Sequence, residues 1–481
     1  MIPSGGQSVI DRAPMGMEPP IAEPLGNVPT ESITVSAMQL LNSYAHIFVA
    51  AFLVTLLVTP VIRRVAAARG VVDLPDAKRK MHAYPVAYLG GVALFIGLIV
   101  AIGVSYLTFD PLPEGYHQVP IAVVVGMVLI TFTGLADDVW GWDPRLKIAG
   151  QFVAAAALAL EDVGVRVASG ILSPVAHWVD PLLGCENLAF TFETPVGVFA
   201  FDTVYWVGVV IVAIFVLGGC NSANLIDGLD GLLSGIVAIV MIGLLSISLL
   251  MAIRLDPARI AEFGGTFAGA RIVLCVAVLG AVLGFLPHNF NPASIFLGDC
   301  GSLLLGYLCV VIILMLGEYG HTHLVFAGLI VYSVPIMDTT LAIIRRRLAG
   351  VSISAADHQH IHHQLKHALG GVKRAVFALY GISLLFAALG VALAALVMYT
   401  ELRVRVIYAI ALVLFGCIAV IAVKAARRQQ RLAAEQRARN AAAKAARRRA
   451  EAVGRAPASG GGAEAASPRP GGASSARAEE T

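Results

Sequence analysis

Charged side chains are scarce in this chain. Asp, Glu, Lys and Arg make up 14% of its 481 residues, whereas soluble globular proteins carry about 25%. Because 58% of the residues are hydrophobic and the mean hydropathy is +0.81, the composition indicates a protein solvated mainly by lipid. The net charge of only +3 gives no general case for a nucleic-acid partner.

Paired cysteines and several familiar signatures are also absent. The six cysteines are scattered without a CxxC pair, mostly in apolar segments, which is typical of small core residues rather than of a disulfide or zinc framework. No HExxH sequence occurs, which argues against a zincin-type protease. The first apolar run starts near Ala45 and is too long for a cleavable signal.

Long apolar runs are what the sequence has instead. A membrane-spanning helix needs roughly 20 apolar residues, and these runs are too long and too uniform for the alternating strands of a barrel. We therefore predict an all-α fold, a polytopic transmembrane helix bundle of about eleven spans. The predicted spans are residues 45–65, 89–108, 119–136, 146–160, 204–222, 232–253, 267–286, 302–317, 323–344, 375–398 and 404–423.

Lys and Arg are concentrated in the loops that follow odd-numbered spans. The positive-inside rule therefore predicts that these loops are cytoplasmic, with the N-terminus outside and the C-terminus inside. Residues 1–44 are predicted to be a disordered extracytoplasmic segment, and residues 45–423 the transmembrane domain. Residues 424–481, rich in Ala and Arg and then in Gly, Ser and Pro, are predicted to be a disordered cytoplasmic tail. A basic helix on anionic lipid stays open for 424 to about 450.

Acidic residues and histidines collect in the same inside loops. Asp137 and Asp138 are adjacent at the end of a span, so they need a metal ion, a basic partner such as Lys147, or a shared proton. A helix-end pair facing water is the simpler alternative. In the first inside loop, a basic run ending at Lys80 and the nearby His82 suit an anionic ligand, although the run is also a topology signal.

The third and fourth inside loops are acidic. Asn221, Asn224, Asp227 and Asp230 are each three residues apart and would form one drifting polar stripe on a helix. Because no Lys or Arg lies among them, a divalent cation or a cationic substrate would have to neutralise them, unless the segment is only a turn-rich linker. Asp299 lies between glycines at the start of a span, where it would cap a helix or lie beside a bound phosphate.

The fifth inside loop is rich in histidine. His360, His363 and His367 are spaced to share one helical face, and His358 and His362 are four apart. The residue type allows zinc, and imidazoles also hydrogen-bond phosphates or sugars. Together with the carboxylates, this set suits Mg²⁺ and a diphosphate, since Mg²⁺ typically binds one or two carboxylates plus substrate phosphates. The position beside lipid suggests a lipid substrate.

Several motifs, which occur in order along the chain, carry a resemblance to a known family. They are KMH with the following GG, LADD with Lys147, NxxNxxDGLDGL, FNPASIFLGDCGS, PIMDTT with two arginines, and HIHH. From about Ala45 to Val423 the chain resembles the polyprenyl-phosphate N-acetylhexosamine-1-phosphate transferases of the glycosyltransferase family 4 type. Within them it looks most like the bacterial undecaprenyl-phosphate N-acetylglucosamine-1-phosphate transferases.

The resemblance implies a reaction and its partners. N-acetylglucosamine 1-phosphate would pass from UDP-GlcNAc to undecaprenyl (polyprenyl) phosphate, with release of UMP, as the first lipid-linked step of a cell-envelope glycan. The cofactor would be Mg²⁺, with Mn²⁺ as a substitute, and the site would face the cytoplasm from the bacterial inner membrane. Whether the chain forms a homodimer is left open.

The resemblance also implies roles for residues. The catalytic set would be Asp137, Asp138 and Asp299, and the metal ligands Asp299 and Asp227. The substrate-binding set would be Lys80, His82, Lys147, Asn224, Asp230, Asn291, His360, His362 and His363.

Several alternatives stay open. HIHH resembles the enzymes that use UDP-GlcNAc, but Ala87 and His358 replace a Pro and an Arg that are usual in the family, so another UDP-N-acetylhexosamine or UDP-MurNAc-pentapeptide remains an alternative donor. A membrane transporter would place ionisable residues deep within spans, whereas here they lie at span ends. A scaffold with a decayed site is opposed by the intact motifs, and the DGxxAR-type signature of CDP-alcohol phosphotransferases is not found.

Overall fold

The computed structural model describes residues 36–73, 85–108, 115–183, 188–194, 197–255, 257–348, 350, 360–400 and 404–453. Helices dominate these residues, with two short antiparallel hairpins, β1 with β2 and β3 with β4. In chain order the elements are α1 (Ala37–Ala68), β1 (Val72–Asp73), β2 (Val86–Ala87), α2 (Gly90–Leu107), α3 (Ile121–Trp140), α4 (Pro144–Leu160), α5 (Val167–Leu183), β3 (Ala189–Thr194), β4 (Gly197–Asp202), α6 (Thr203–Ile226), α7 (Leu232–Ile253), α8 (Pro257–Phe263), α9 (Ala268–Asn289), α10 (Gly298–Met315), α11 (Thr322–Val331), α12 (Ser333–Leu348), α13 (Ile361–Leu369), α14 (Val372–Tyr399) and α15 (Arg405–Val453).

Ten of the predicted spans each coincide with one helix, and the ninth, 323–344, covers the two helices α11 and α12. Among the described residues, eight helices are long and apolar enough to cross a membrane, and α11 with α12 forms a ninth candidate that is bent by 79°. The fourth predicted span is a helix of only 17 residues, and the apolar part of α15 covers Arg405–Cys417. The polytopic helical bundle is therefore confirmed, and the count of eleven stays a prediction.

Two helix ends differ from the predicted boundaries. Helix α1 begins at Ala37, because Ser36 and Gln39 form a capping box in which each side chain bonds the other's backbone N–H. Helix α15 continues through the Ala/Arg stretch to Val453, as expected from the high helix propensity of both residues. The stretch from 424 to about 450 is therefore helical, and its contact with anionic lipid stays a prediction. Residues 1–35 and 454–481 lie outside the described residues.

The segment between α4 and α6 contains structure that hydropathy did not predict. Helix α5 has Ile171, Trp178 and Leu182 on its exposed surface, and the β3–β4 hairpin follows it. Both elements are too short, or too polar overall, to register as a span of about 20 apolar residues. Hydropathy alone therefore predicts only an outside loop in this region.

Helix α10 is the centre of the bundle. Apart from Asp299, all of its residues are buried, and it packs against α2, α3, α6, α7 and α9. Glycines let two neighbours approach its first turn: a Cβ on Gly91 would lie 2.1 Å from Gly301 N, and one on Gly134 would lie 2.5 Å from Cys300 Cα. The ends of α2 and α3 are thereby fixed against the residues that surround Asp299.

We expect Gly91→Ala to destabilise the protein. Its new methyl group would clash with backbone, and overpacking of this kind costs about 1–3 kcal/mol. Gly103→Ala in the same helix is the matched control, since nothing lies within 4 Å of a Cβ there and alanine is favoured over glycine within helices. Thermal unfolding in detergent measures both. Equal melting temperatures for the two variants would contradict the close approach.

Candidate active site

A cavity of about 1820 Å³ opens where the first, third, fourth and fifth predicted inside loops meet, whereas Asp137, Asp138 and Lys147 of the second loop are not among its lining residues. One wall, which we call the acidic wall, carries Asn224, Asp227, Asp230, Asn291 and Asp299. A second group of lining residues forms the basic wall, made of Arg63, Arg64, His363, Lys366 and His367. Small-molecule binding sites typically have volumes of about 300–1,000 Å³, so this cavity is larger than a site for one such ligand requires.

The N-terminus of α10 carries Asp299 and is held by Asp138. The Asp138 carboxylate accepts hydrogen bonds from Asp299 N at 2.8 Å and Cys300 N at 3.0 Å. These amides have no partner within their own helix, and a carboxylate is the favoured group at a helix N-terminus. Gly298 adopts φ +69°, and a Cβ there would lie 2.4 Å from Asp138 Oδ2. Asp138 therefore acts on α10 itself, and through it on the position of Asp299.

Asp299 is held from two sides. Asn224 Nδ2 donates to Asp299 Oδ1 at 2.7 Å and also lies 3.0 Å from Ser302 Oγ. The Lys147 ammonium forms an ion pair with the Asp299 carboxylate and a second one with Asp137 Oδ2 at 3.2 Å. Lys147 thus bridges two carboxylates that would otherwise repel each other. Lys147, the basic partner predicted for the Asp137–Asp138 pair, contacts Asp137, whereas Asp138 accepts from backbone N–H groups of α10.

Two further carboxylates lie beside Asp299. Removal from water raises the pKa of Asp227 to about 8, and the negative charges of Asp299, Asp138 and Asp230 add to this shift.

Asp230 connects two of the loops. Its Oδ2 atom accepts a hydrogen bond from Asn291 Nδ2 at 2.8 Å and another from Ala293 N at 3.1 Å. The third and fourth inside loops are therefore tied together. A cation among these groups would offset their mutual repulsion.

The histidines divide between two environments. Helix α13 begins at Ile361, so His360 precedes it and does not share a helical face with His363. His363 lines the cavity, whereas His360 and His362 are buried, at 6% and 2% exposure. The predicted contacts of His360 and His362 with a diphosphate or sugar therefore have no counterpart in the cavity lining, because both rings pack beneath it.

Two polar residues of this region were not predicted from the sequence, and two that were predicted cannot be placed. Ser302 supports Asn224, and Asp338 contacts His360. Asp338 carried a usable signal, since a carboxylate within an apolar span is rarely kept without a role. Lys80 and His82 lie outside the described residues.

The donor atoms fit a hard divalent cation. Among the described residues, no three His, Cys, Asp or Glu side chains come together as a ready-made metal cage. Mg²⁺ does not require one, since it typically takes one or two carboxylates and completes its shell with waters and substrate phosphates. Asp299 and Asp227 line the same cavity and supply oxygen donors. Zinc is less well suited, because its preferred imidazole ligands at His360 and His362 are buried and neither lines the cavity.

Known proteins match most of the chain. Residues 120–317 match the glycosyl transferase family 4. A probable undecaprenyl-phosphate N-acetylglucosaminyl 1-phosphate transferase of Bacillus subtilis is 30% identical over 345 residues, which are 70% of this chain and 82% of that protein. A decaprenyl-phosphate N-acetylglucosaminephosphotransferase of Mycolicibacterium smegmatis is 32% identical over 362 residues, covering 71% and 79%.

A second kind of relative matches at lower identity. A phospho-N-acetylmuramoyl-pentapeptide-transferase of Bacillus cytotoxicus is 27% identical over 359 residues, covering 71% of this chain and 94% of that protein. Matches of this length are similarities of the whole membrane domain rather than of one motif. The chain belongs to glycosyl transferase family 4 and is a multi-pass membrane transferase.

Proposed function

We propose that this protein transfers N-acetylglucosamine 1-phosphate from UDP-GlcNAc to a polyprenyl phosphate, undecaprenyl phosphate in the first instance, and releases UMP. The observation that carries this proposal is the cavity itself, which acidic and basic residues line together at the ends of apolar helices. Such a site accepts a diphosphate together with a divalent cation, next to lipid. The names of the relatives favour GlcNAc over N-acetylmuramoyl-pentapeptide as the sugar.

The proposed reaction is a single phosphoryl displacement. An oxygen of the polyprenyl phosphate attacks the β-phosphorus of UDP-GlcNAc, the bond from that phosphorus to the bridging oxygen breaks, and UMP leaves with the electron pair. Phosphoryl transfer depends mainly on positioning and charge neutralisation. Bound Mg²⁺, or Mn²⁺ in its place, would be held by Asp299 and Asp227 and would neutralise charge on the diphosphate.

The protein side chains divide the remaining work. Lys147 and Asn224 keep Asp299 in one orientation, so little reorganisation is needed when the substrates arrive. Asp137 and Lys147 are not among the residues that line the cavity, so Asp137 acts on the acceptor phosphate indirectly, by pairing with the lysine that holds Asp299. On the basic wall, His363 and Lys366 contact the donor diphosphate, and the Asp230–Asn291 pair orders the loop beside the nucleotide.

The proposed setting is the cytoplasmic face of a bacterial inner membrane. Every element of the cavity comes from a loop or helix end on the Lys- and Arg-rich side of the chain, which the positive-inside rule assigns to the cytoplasm. The N-terminus is then outside and the C-terminus inside. In this setting the reaction begins a lipid-linked cell-envelope glycan.

A donor panel tests the reaction. Purified protein with undecaprenyl phosphate and Mg²⁺ is offered UDP-GlcNAc, other UDP-N-acetylhexosamines and UDP-MurNAc-pentapeptide, and UMP release is measured. We expect the highest kcat/KM with UDP-GlcNAc. Turnover of UDP-MurNAc-pentapeptide alone would refute the proposed donor, and a failure of every donor to yield UMP would refute the reaction.

Asp299→Asn tests the acidic wall. The change keeps the shape of the side chain but removes the negative charge that pairs with Lys147 and would bind the cation. We therefore expect kcat to fall by at least about 100-fold, as for other losses of transition-state charge stabilisation. Asp143→Asn is the matched control. Asp143 caps α4 through a bond to Arg145 N, and asparagine caps helices equally well. Near wild-type turnover of the Asp299→Asn variant would exclude Asp299 as a metal ligand.

Chelation tests the cation. Because several carboxylates with one lysine leave surplus negative charge beside a diphosphate, we expect EDTA to abolish UMP release and excess Mg²⁺ to restore it, with Mn²⁺ as a weaker substitute. Zn²⁺ added at a matched free concentration is the control. Full turnover in EDTA, or recovery with Zn²⁺ alone, would contradict a magnesium site.

A further inference from the structure

Asp338 is a fully buried carboxylate on α12, at 0% exposure. Both of its oxygens are used at the start of α13: Oδ2 accepts a hydrogen bond from His360 Nδ1 at 2.8 Å, and Oδ1 accepts one from Ile361 N at 2.8 Å. A carboxylate in this position is costly unless it is paired. Its pairing is with the first residues of the helix that carries the basic wall.

Asp338, on α12, caps the neighbouring helix α13. His360 is the N-cap residue of α13, but its side chain makes no capping bond to that helix. Asp338 supplies the missing acceptor and places negative charge at the helix N-terminus, where it is stabilising. Since an ionised carboxylate can only accept, His360 Nδ1 must be the donor, which fixes the orientation of the ring.

A second contact joins the histidines to the acidic wall. The rings of His360 and His362 stack with their centroids 5.4 Å apart and their planes 7° apart. A Cβ on Gly228 would lie 2.2 Å from His362 Nε2, so the ring fits only against a residue that has no side chain. Burial lowers the pKa of His362 to about 3, so it packs there as a neutral ring. Gly228 directly follows Asp227, and α13 therefore rests on the loop that contributes a proposed metal ligand.

The outer face of α13 meets the cavity. His363, Lys366 and His367 are spaced at i, i+3 and i+4, which places them on one side of the helix, and all three line the cavity. We infer that Asp338 is a positioning residue, which caps α13 and orients His360 so that His363 and Lys366 meet the diphosphate of the sugar nucleotide. The identity of that ligand rests on the proposed function, whereas the positioning rests on the contacts of Asp338.

Asp338→Asn tests the inference by kinetics. The amide keeps an oxygen for Ile361 N, but its nitrogen cannot accept from His360 Nδ1. We expect kcat/KM for UDP-GlcNAc to fall about 10- to 100-fold, because small misplacements of binding groups have effects of this size. The loss should lie mainly in KM for UDP-GlcNAc, with KM for undecaprenyl phosphate at the wild-type value. Asp202→Asn, at the N-cap of α6, makes the same change at the opposite end of that helix from the cavity and should leave both constants unchanged.

Substitutions of His360 separate positioning from chemistry. In His360→Asn, the side-chain amide can donate to Asp338 much as Nδ1 does, whereas His360→Leu removes the donor and leaves the carboxylate unpaired. We expect the Leu variant to match Asp338→Asn, and the Asn variant to recover most of that loss. Equal losses in the Asn and Leu variants would mean that the imidazole itself is needed, which would overturn the positioning role.

Hydrogen exchange gives a measurement that needs no substrate. In the purified full-length protein, Asp338→Ala leaves Ile361 N without its acceptor. It should speed amide exchange in residues 361–365 at least about tenfold, as expected when a helix loses its cap, while α14 exchanges at the wild-type rate. Unchanged exchange in α13, or equal losses in KM for both substrates in Asp338→Asn, would overturn the inference. Should the Asp338→Asn variant not fold, the kinetics of His360→Leu are read in its place. If the wild-type protein releases no UMP, the proposed function fails, and exchange alone decides the role of Asp338.

Discussion

Two hydrogen bonds from the first amides of α10 to the Asp138 carboxylate are the interaction on which the acidic wall depends. They connect the end of α3 to the start of a helix that is buried along almost all of its length. Asp299 projects from that same turn, so its position is set by the cap. Lys147 then allows Asp137 and Asp299 to remain close, because its charge offsets a repulsion that the surrounding protein would otherwise strengthen.

The two walls of the cavity are built differently. The acidic wall belongs to the ends of α6 and α10 and to the loops before α7 and α10, where tight helix packing sets each side chain. The basic wall depends largely on α13, a helix of nine residues attached by the Asp338 cap and by the His362–Gly228 contact. Both walls line the same cavity. Their opposite charges suit a diphosphate bound together with a cation.

Much of this architecture is predictable, since apolar runs of span length are a strong signal and ten of the eleven each coincide with one helix. The LADD, DGLDG and GDCGS motifs indicated residues that the fold brings together across 162 positions, as in the bond from Cys300 N to Asp138. The histidines could not be assigned in this way. The prediction from their spacing required a helix that includes His360, but the helix begins one residue later. His360 is buried because it contacts Asp338, and that contact could not be predicted from the spacing. The 79° bend between α11 and α12 could not be predicted either, because the two helices form one continuous apolar run of span length in the sequence.

The enclosure of α10 limits where a substrate can meet this helix. From Leu303 to Met315 the helix is buried, and the Tyr307 hydroxyl is satisfied by Val123 O at 3.3 Å. Among the residues of α10, Asp299 alone is not fully buried and lines the cavity together with the adjacent Gly298. Ligands therefore meet α10 at its first turn, and the remaining turns serve to hold that turn in place.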